Sequence, residues 1–115
     1  MSEVSVDEGW LSLPDAAESL RMSVNRVRQL LRDGALAGEL RSDGEFRIPS
    51  SFVVDGEIVK GLSGVLAVLS DAGYTTGEAL RWLHTPDDSL PGTPVEALRS
   101  NRGREVKRRA QASAF

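Results

Sequence analysis

The sequence predicts a mainly α-helical chain with one small β-hairpin: two short helices joined by a tight turn, then the hairpin, then a compact helical second part. Three observations predict it. Apolar residues recur at helical spacing on both sides of Arg21-Met22-Ser23. The period shortens around the turn signal Ser42-Asp43-Gly44. Helical spacing then returns from Leu62 onward, with cap signals at Thr75 and Thr93. A chain of 115 residues can bury one core, or two small subdomains sharing one, and a hydrophobic content of 40% is ordinary for a globular protein.

Residues 1–9 show little period and many acids, so a mobile acidic leader is expected there. Trp10, Leu11 and Leu13 then read as the first core contacts. Pro14 suits a first helical turn, and Ala16, Ala17 and Leu20 supply the apolar side of a helix ending at Leu20 or Arg21. Ser23 is a good cap for the next helix, because its hydroxyl can accept a free N–H of the first turn; Asp33-Gly34 supplies the stop. Helix, three-residue turn, helix is helix-turn-helix spacing. After it, Glu39-Leu40-Arg41 and Glu45-Phe46-Arg47-Ile48 admit two hairpin registers. A two-residue Asp43-Gly44 turn sets Arg41 opposite Phe46. A three-residue loop with Gly44 left-handed sets Leu40 opposite Phe46 and Glu39 opposite Arg47. The second is preferred, since it leaves one apolar face for the helices and one charged face carrying Arg41 and Arg47.

Pro49 to Lys60 reads as an irregular link with a turn at Asp55-Gly56 and a short extended piece at Glu57-Ile58-Val59. The run Leu62 to Leu69 is apolar nearly all round, which predicts a buried helix stopped by Gly73. Thr75 with Glu78, and Thr93 with Pro94 and Glu96, are capping-box patterns; they open helices through Leu83 and to Leu98 or Arg99, with Pro86 forcing an end between them. Gly103 separates a last helix over Arg104 to Ala112, with Val106, Ala110 and Phe115 able to pack inward. The organisation expected is leader 1–9, a first domain over 10–60 and a helical second domain over 61–115.

Charge is segregated along the chain, although the total is −3. Residues 1–18 hold five acids and no base; residues 19–32 hold four arginines and no acid; residues 99–109 hold six bases against Glu105. A local basic patch attracts a polyanion even when the overall sign is acidic, though binding is then weak and salt-sensitive. On the helix after Ser23, Val24, Val27 and Leu31 share one side, while Asn25, Arg28, Gln29 and Arg32 form an i, i+3, i+4, i+7 stripe on the other. Arg, Asn and Gln carry the planar forks that match base edges in the DNA major groove. This stripe therefore reads as a DNA recognition surface, with Arg26 and Ser23 holding the phosphate backbone and Arg41 and Arg47 bracing from the hairpin; the bland alternative is a solvated helix face. In the last helix Arg104, Lys107 and Arg108 share a side, open equally to solvation, a second DNA contact or a partner surface.

Two resemblances bear on these readings. Leu13 to Leu20, Ser23 to Gly34 and Phe46-Arg47-Ile48-Pro49 resemble the winged helix-turn-helix of excisionase-type and MerR-type DNA-binding domains. That resemblance implies that the helix from Val24 to Arg32 docks in the major groove and the hairpin contacts flanking backbone. One departure is Met22, where a glycine is usual, so Arg21 or Met22 is expected to carry backbone strain. Further along, Gly73-Tyr74, the stretch from Glu78 to Leu90 and the stretch from Arg104 to Ala112 resemble the C-terminal domain of a family of small actinobacterial winged-helix DNA-binding proteins known from mycobacteria, and the match extends over residues 10–115. It implies a DNA-binding protein whose second domain has no settled activity of its own. A looser likeness, through Trp82-Leu83, Pro86, Leu90, Pro94, Leu98 and Gly103, is to the toxin-binding domain of Xre/MbcA/ParS-type antitoxins, and implies a regulator whose second domain binds a protein partner.

Enzyme chemistry has little to work with. His84 is the single histidine and there is no cysteine, so the usual zinc and Cys-His sites cannot be assembled. His84 beside a helix end is expected to meet the last carbonyls, Asp87-Asp88 to start a turn, and Gly61-Leu62-Ser63-Gly64 lacks the ending of a phosphate loop. No catalytic residue, metal or cofactor is expected. No apolar run approaches the roughly 20 residues that cross a bilayer, and Met1-Ser2-Glu3-Val4 lacks a basic signal start, so a cytoplasmic, nucleoid-associated location is expected. The function expected is that of a double-stranded-DNA-binding transcriptional regulator or nucleoid factor, with a homodimer partner or a protein bound by the second domain as further candidates.

Overall fold

Ser12 starts the first helix: its extended backbone turns into the helix and its side chain accepts the Asp15 N–H at 3.1 Å. The computed structural model describes residues 9–90 and 92–113. The expected leader lies outside them except for Gly9, whose carbonyl accepts from Ser50 N–H at 2.9 Å, and Phe115 also lies outside them. In chain order the elements are β1 (Trp10–Ser12), α1 (Leu13–Leu20), α2 (Val24–Arg32), β2 (Glu39–Leu40), β3 (Phe46–Pro49), a 3-10 turn (Ser50–Phe52), β4 (Val53–Val54) and β5 (Glu57–Ile58). Four helices follow: α3 (Leu62–Asp71), α4 (Thr76–Leu83), α5 (Pro94–Arg99) and α6 (Gly103–Ser113).

The turn between α1 and α2 bears the expected strain. Arg21 sits in the left-handed region at φ 58°, and the N–H groups of Arg21 and Met22 return to the carbonyls of Glu18 and Ala17. These are the bonds of a Schellman ending, which glycine normally makes without steric cost. Arg21 makes them here with a side chain attached.

The hairpin takes the preferred register. Glu39 lies opposite Arg47 and Leu40 opposite Phe46, Arg41 N–H reaches Glu45 O at 2.8 Å, and Gly44 takes φ 87°. Two expectations fail around it. Trp10 belongs to a strand that three residues are too few to announce: β1 pairs with β3, giving the sheet order β1-β3-β2. Alternation along β1 turns Leu11 toward the core and leaves Trp10 outside it. The hairpin's apolar face is also only partly covered. α1 packs on β1 and β3, and Leu40 on the short edge strand stays 67% exposed.

Pro49 to Lys60 is more ordered than an irregular link. β4 and β5 pair antiparallel around Asp55 and Gly56, both with positive φ (52° and 80°), which is type I′ hairpin geometry. Just before them Phe52 is fully buried. The second half follows its cap signals closely. Thr75 and Glu78 form a reciprocal capping box, as do Thr93 and Glu96 with Pro94 opening the helix. α3 is buried through Leu62, Val65, Leu66 and Leu69, whereas Ser63, Ala67 and Ser70 are exposed; it is one-sided rather than apolar all round in its environment. α6 buries Val106 and Ala110 and starts at Gly103.

The two halves share one core, in which Ala16, Val27 and Ile48 join Leu62, Leu69, Leu98 and Val106. Phe52 lies at the seam. Around it Arg99 Nη1 donates to the carbonyls of Ser51 (2.8 Å) and Val53 (3.3 Å). His84 tilts its ring against Phe52, with centroids 5.8 Å apart. Its Nδ1 lies 2.8 Å from Leu80 O and can only donate there, so in the neutral ring Nε2 accepts from the Ser51 hydroxyl at 2.8 Å. The histidine meets a helix-end carbonyl as expected and also ties the halves together.

Candidate nucleic-acid interface

α2 exists because its ends are specified and one side is apolar. Ser23 accepts the Arg26 N–H at 3.0 Å, Asp33 ends the helix, and Gly34 follows at φ 77° with Ala35 N–H returning to Leu30 O. Val27 is fully buried, and Val24, Leu30 and Leu31 pack around it. That anchoring leaves Asn25, Arg26, Arg28 and Arg32 exposed and Gln29 half-exposed, on one continuous stretch of surface.

The polar side chains are not equally available. Arg32 Nη2 donates to Gln29 Oε1 at 2.9 Å, and Gln29 Nε2 donates to Asp33 Oδ1 at 3.0 Å. Gln29 is thus held by its own helix, and Asp33 is the carboxylate at that end. Among the described residues no carboxylate pairs with Arg26, Arg28 or Arg32, and the side chains of Asn25 and Arg28 have no hydrogen-bond partner. The amino-terminal part of the helix face is therefore the part free to meet a ligand.

The hairpin presents its arginines differently. Arg41 Nη1 lies 2.8 Å from Glu39 Oε2, and its guanidinium stacks 3.9 Å from the centroid of the Trp10 ring. Arg47 Nη2 lies 2.9 Å from Asp43 Oδ2, with only 16% of its side chain exposed. Hydrogen bonding from Arg47, then from the Glu45 backbone N–H, holds the Asp43 carboxyl below its ordinary value. Both arginines expected to brace a duplex are thus already paired with hairpin carboxylates. Sequence reading placed Glu39 opposite Arg47 but not the Trp10 stack or the Asp43 clamp. The first brings together residues from opposite edges of the sheet, and the second depends on a loop carboxylate folding back to a residue four positions on.

In the second half, the basic run divides. Arg99 is the clip across the seam, and Arg102 pairs with Glu105 at 2.9 Å. Arg104, Lys107 and Arg108 are exposed. Asp87 accepts from the Ser89 N–H (2.9 Å) and hydroxyl (2.7 Å), which makes the expected turn and lowers its carboxyl below the ordinary value. Of the residues that carry the antitoxin likeness, Leu83, Leu90, Pro94 and Leu98 are buried packing residues, Trp82 and Gly103 are half-buried and Pro86 is exposed. A cleft of about 890 Å³ runs between the end of α2 and helices α3 and α4, walled by Leu31, Phe46, Leu66 and Tyr74, apart from the basic helix faces.

A capped second helix with an exposed Asn/Arg face, set on a first helix across a tight turn and followed by a hairpin on a three-stranded sheet, defines a winged helix-turn-helix protein. Residues 4–53 match the family model described as "DNA-binding protein Rv2175c, wHTH domain", and residues 59–114 match "Rv2175c C-terminal domain of unknown function". The chain is 41% identical over 121 residues to the "DNA-binding protein Rv2175c" of Mycobacterium tuberculosis H37Rv, covering 95% of this chain and 83% of the relative. It is also similar to the NMR structure of Rv2175c, with a TM-score of 0.84 over 92% of this chain and 81% of that one. This chain belongs to the Rv2175c family.

Proposed function

We propose that the protein binds double-stranded DNA, with α2 in the major groove and the β2–β3 hairpin on the flanking backbone. The observation that carries this reading is the exposed face of Asn25, Arg26 and Arg28 at the capped end of α2, which no carboxylate among the described residues pairs with. In a helix-turn-helix dock it is the amino-terminal part of the second helix that meets base edges. Asn25 and Arg28 then read bases, Ser23 and Arg26 hold phosphates, and Gln29 and Arg32 join after exchanging their mutual hydrogen bond for DNA. Arg41 and Arg47 act from the wing as short-range braces already fixed in place by Trp10, Glu39 and Asp43. The family name supports the same reading.

One such module buries about 600–1,000 Å² of protein on DNA. Useful specificity therefore calls for a dimer or clustered sites, which fits a transcriptional regulator or nucleoid factor acting in the cytoplasm. The test is retention of labelled duplex by the full chain carrying Arg28→Glu and Arg32→Glu, with helicity checked by circular dichroism. A fall in affinity of about 100-fold or more with the fold intact supports the reading. Binding that survives the double charge reversal at unchanged affinity removes it.

A further inference from the structure

The outer face of α6 carries a charge pattern that the stability of the helix does not account for. Arg104, Lys107, Arg108 and Gln111 stand at i, i+3, i+4 and i+7, all exposed and turned away from buried Val106 and Ala110. This is the spacing of Asn25, Arg28, Gln29 and Arg32 on α2.

Two ordinary explanations fail. A helix gains from bases in its last turn, where the macrodipole is negative, yet α6 has none there and places Arg104 in its first turn. Ion pairing does not explain the stripe either. Glu105 is taken by Arg102, Arg109 lies off the stripe on the side of Asp87, and among the described residues no carboxylate pairs with Arg104, Lys107 or Arg108. Instead Arg104 repels Lys107 and Arg108 across one and the same turn, a like-charge arrangement that weakens a helix. In a chain of net charge −3, three mutually repelling cations are kept together on a rigid support that packs on α3 and α5.

We propose that this face of α6 is a second contact to the DNA sugar–phosphate backbone, separate from the recognition helix and indifferent to sequence. The proposal rests on the DNA-binding reading above and gives the C-terminal domain its part in it. Arg104 to Arg108 spans about 6 Å of helix axis, and Gln111 extends the stripe to about 10 Å. One strand of duplex DNA carries a charge every 3.4 Å of its axis, so two or three phosphates lie within reach of the three cations. Arg and Lys are suited to such contacts, and Gln111 can donate to a phosphate oxygen beside them. The face holds no apolar side chain, which an amphipathic protein segment would need.

The experiment compares the full-length protein with Arg104→Gln/Lys107→Gln/Arg108→Gln, a change that keeps good helix formers at exposed sites. Binding to a preferred duplex and to random-sequence duplex is titrated at several salt concentrations by fluorescence anisotropy. The expected result is an equal loss of affinity for both duplexes and a log–log salt slope shallower by about 2 to 3 units, at nearly one unit per phosphate lost. A second arm uses the Arg28→Glu/Arg32→Glu protein, which should keep weak, sequence-independent binding that disappears when the three α6 substitutions are added. An unchanged slope in the triple variant, with the parent binding normally, overturns the inference alone and returns the face to solvent, to RNA or to a protein partner. Absence of duplex binding by the parent protein overturns the DNA reading itself and this inference with it.

Discussion

Both α2 and the β2–β3 hairpin bring arginines to the surface of the first domain, but they hold them in opposite ways. Among the described residues no carboxylate pairs with Arg26 or Arg28 on α2, whereas Arg41 is paired with Glu39 and stacked on Trp10, and Arg47 is paired with Asp43. Counted as arginines alone, α2 carries Arg26, Arg28 and Arg32 and the hairpin Arg41 and Arg47, but the hairpin also carries Glu39, Asp43 and Glu45. The field that reaches a ligand differs, because a paired guanidinium offers a dipole and an unpaired one offers a charge. In the DNA-bound arrangement proposed above, the helix is therefore the source of attraction and base reading, and the wing a shaped support.

Several substitutions break or sharpen that contrast. The largest effect is expected from Arg28→Glu with Arg32→Glu, which replaces attraction by repulsion at the groove and should lower affinity by about 100-fold or more, since each good base contact is worth roughly 1–3 kcal/mol. Asn25→Ala should come next: it should relax discrimination at one base position by about 10-fold while changing the salt slope little, as read from a panel of single-base variants of the preferred duplex. Arg41→Ala should cost only about 2- to 5-fold in affinity, comparable to an exposed ion pair of at most about 1 kcal/mol, because that side chain brings little unneutralised charge to the duplex.

At the small end, Asp43→Asn removes a carboxylate from the wing tip and should strengthen binding about 2-fold at low salt; equal loss on both wing substitutions would show that the clamp geometry matters more than its charge. The pH dependence has a definite sign. Asp43 has a lowered folded value, so the stabilisation from its pair with Arg47 is fully present above the unfolded value, 3.8, and disappears as pH falls through the lowered one. Duplex binding followed from pH 5 to 8 should thus show no pH dependence arising from the wing clamp, which stays formed throughout.

How much of this was legible follows the range of the interaction involved. Ser23, Thr75 and Thr93 announce helix starts because a cap bonds within three residues of itself, and each forms the bond its sequence context calls for. The hairpin register was readable because a three-residue loop with Gly44 at the left-handed position fixes which residues face each other. Trp10 was misplaced, since the strand it belongs to is defined by β3 some forty positions later rather than by its own neighbours. Leu40 was assigned to a covered face that its edge position leaves open. Arg99 looked like one more base in a cationic run and is instead a bridge to the carbonyls of Ser51 and Val53.

The seam makes the same point in energetic form. Phe52 sits where both halves bury surface, so Phe52→Ala should cost about 3–5 kcal/mol. It should also lower the unfolding midpoint of the two halves together, as seen by Trp10 and Trp82 fluorescence in one denaturant titration.

By itself the sequence determined the helices, the caps at Ser23, Thr75 and Thr93, the register of the wing and the polar face of α2, because each of these is settled by bonds or periodicities spanning a few residues. Tertiary structure alone decided which arginines are neutralised, which apolar side chains stay exposed and that Phe52 joins two domains into one core. Those outcomes depend on partners tens of residues away, and a charge or an apolar side chain has no fixed role until its neighbours in space are known.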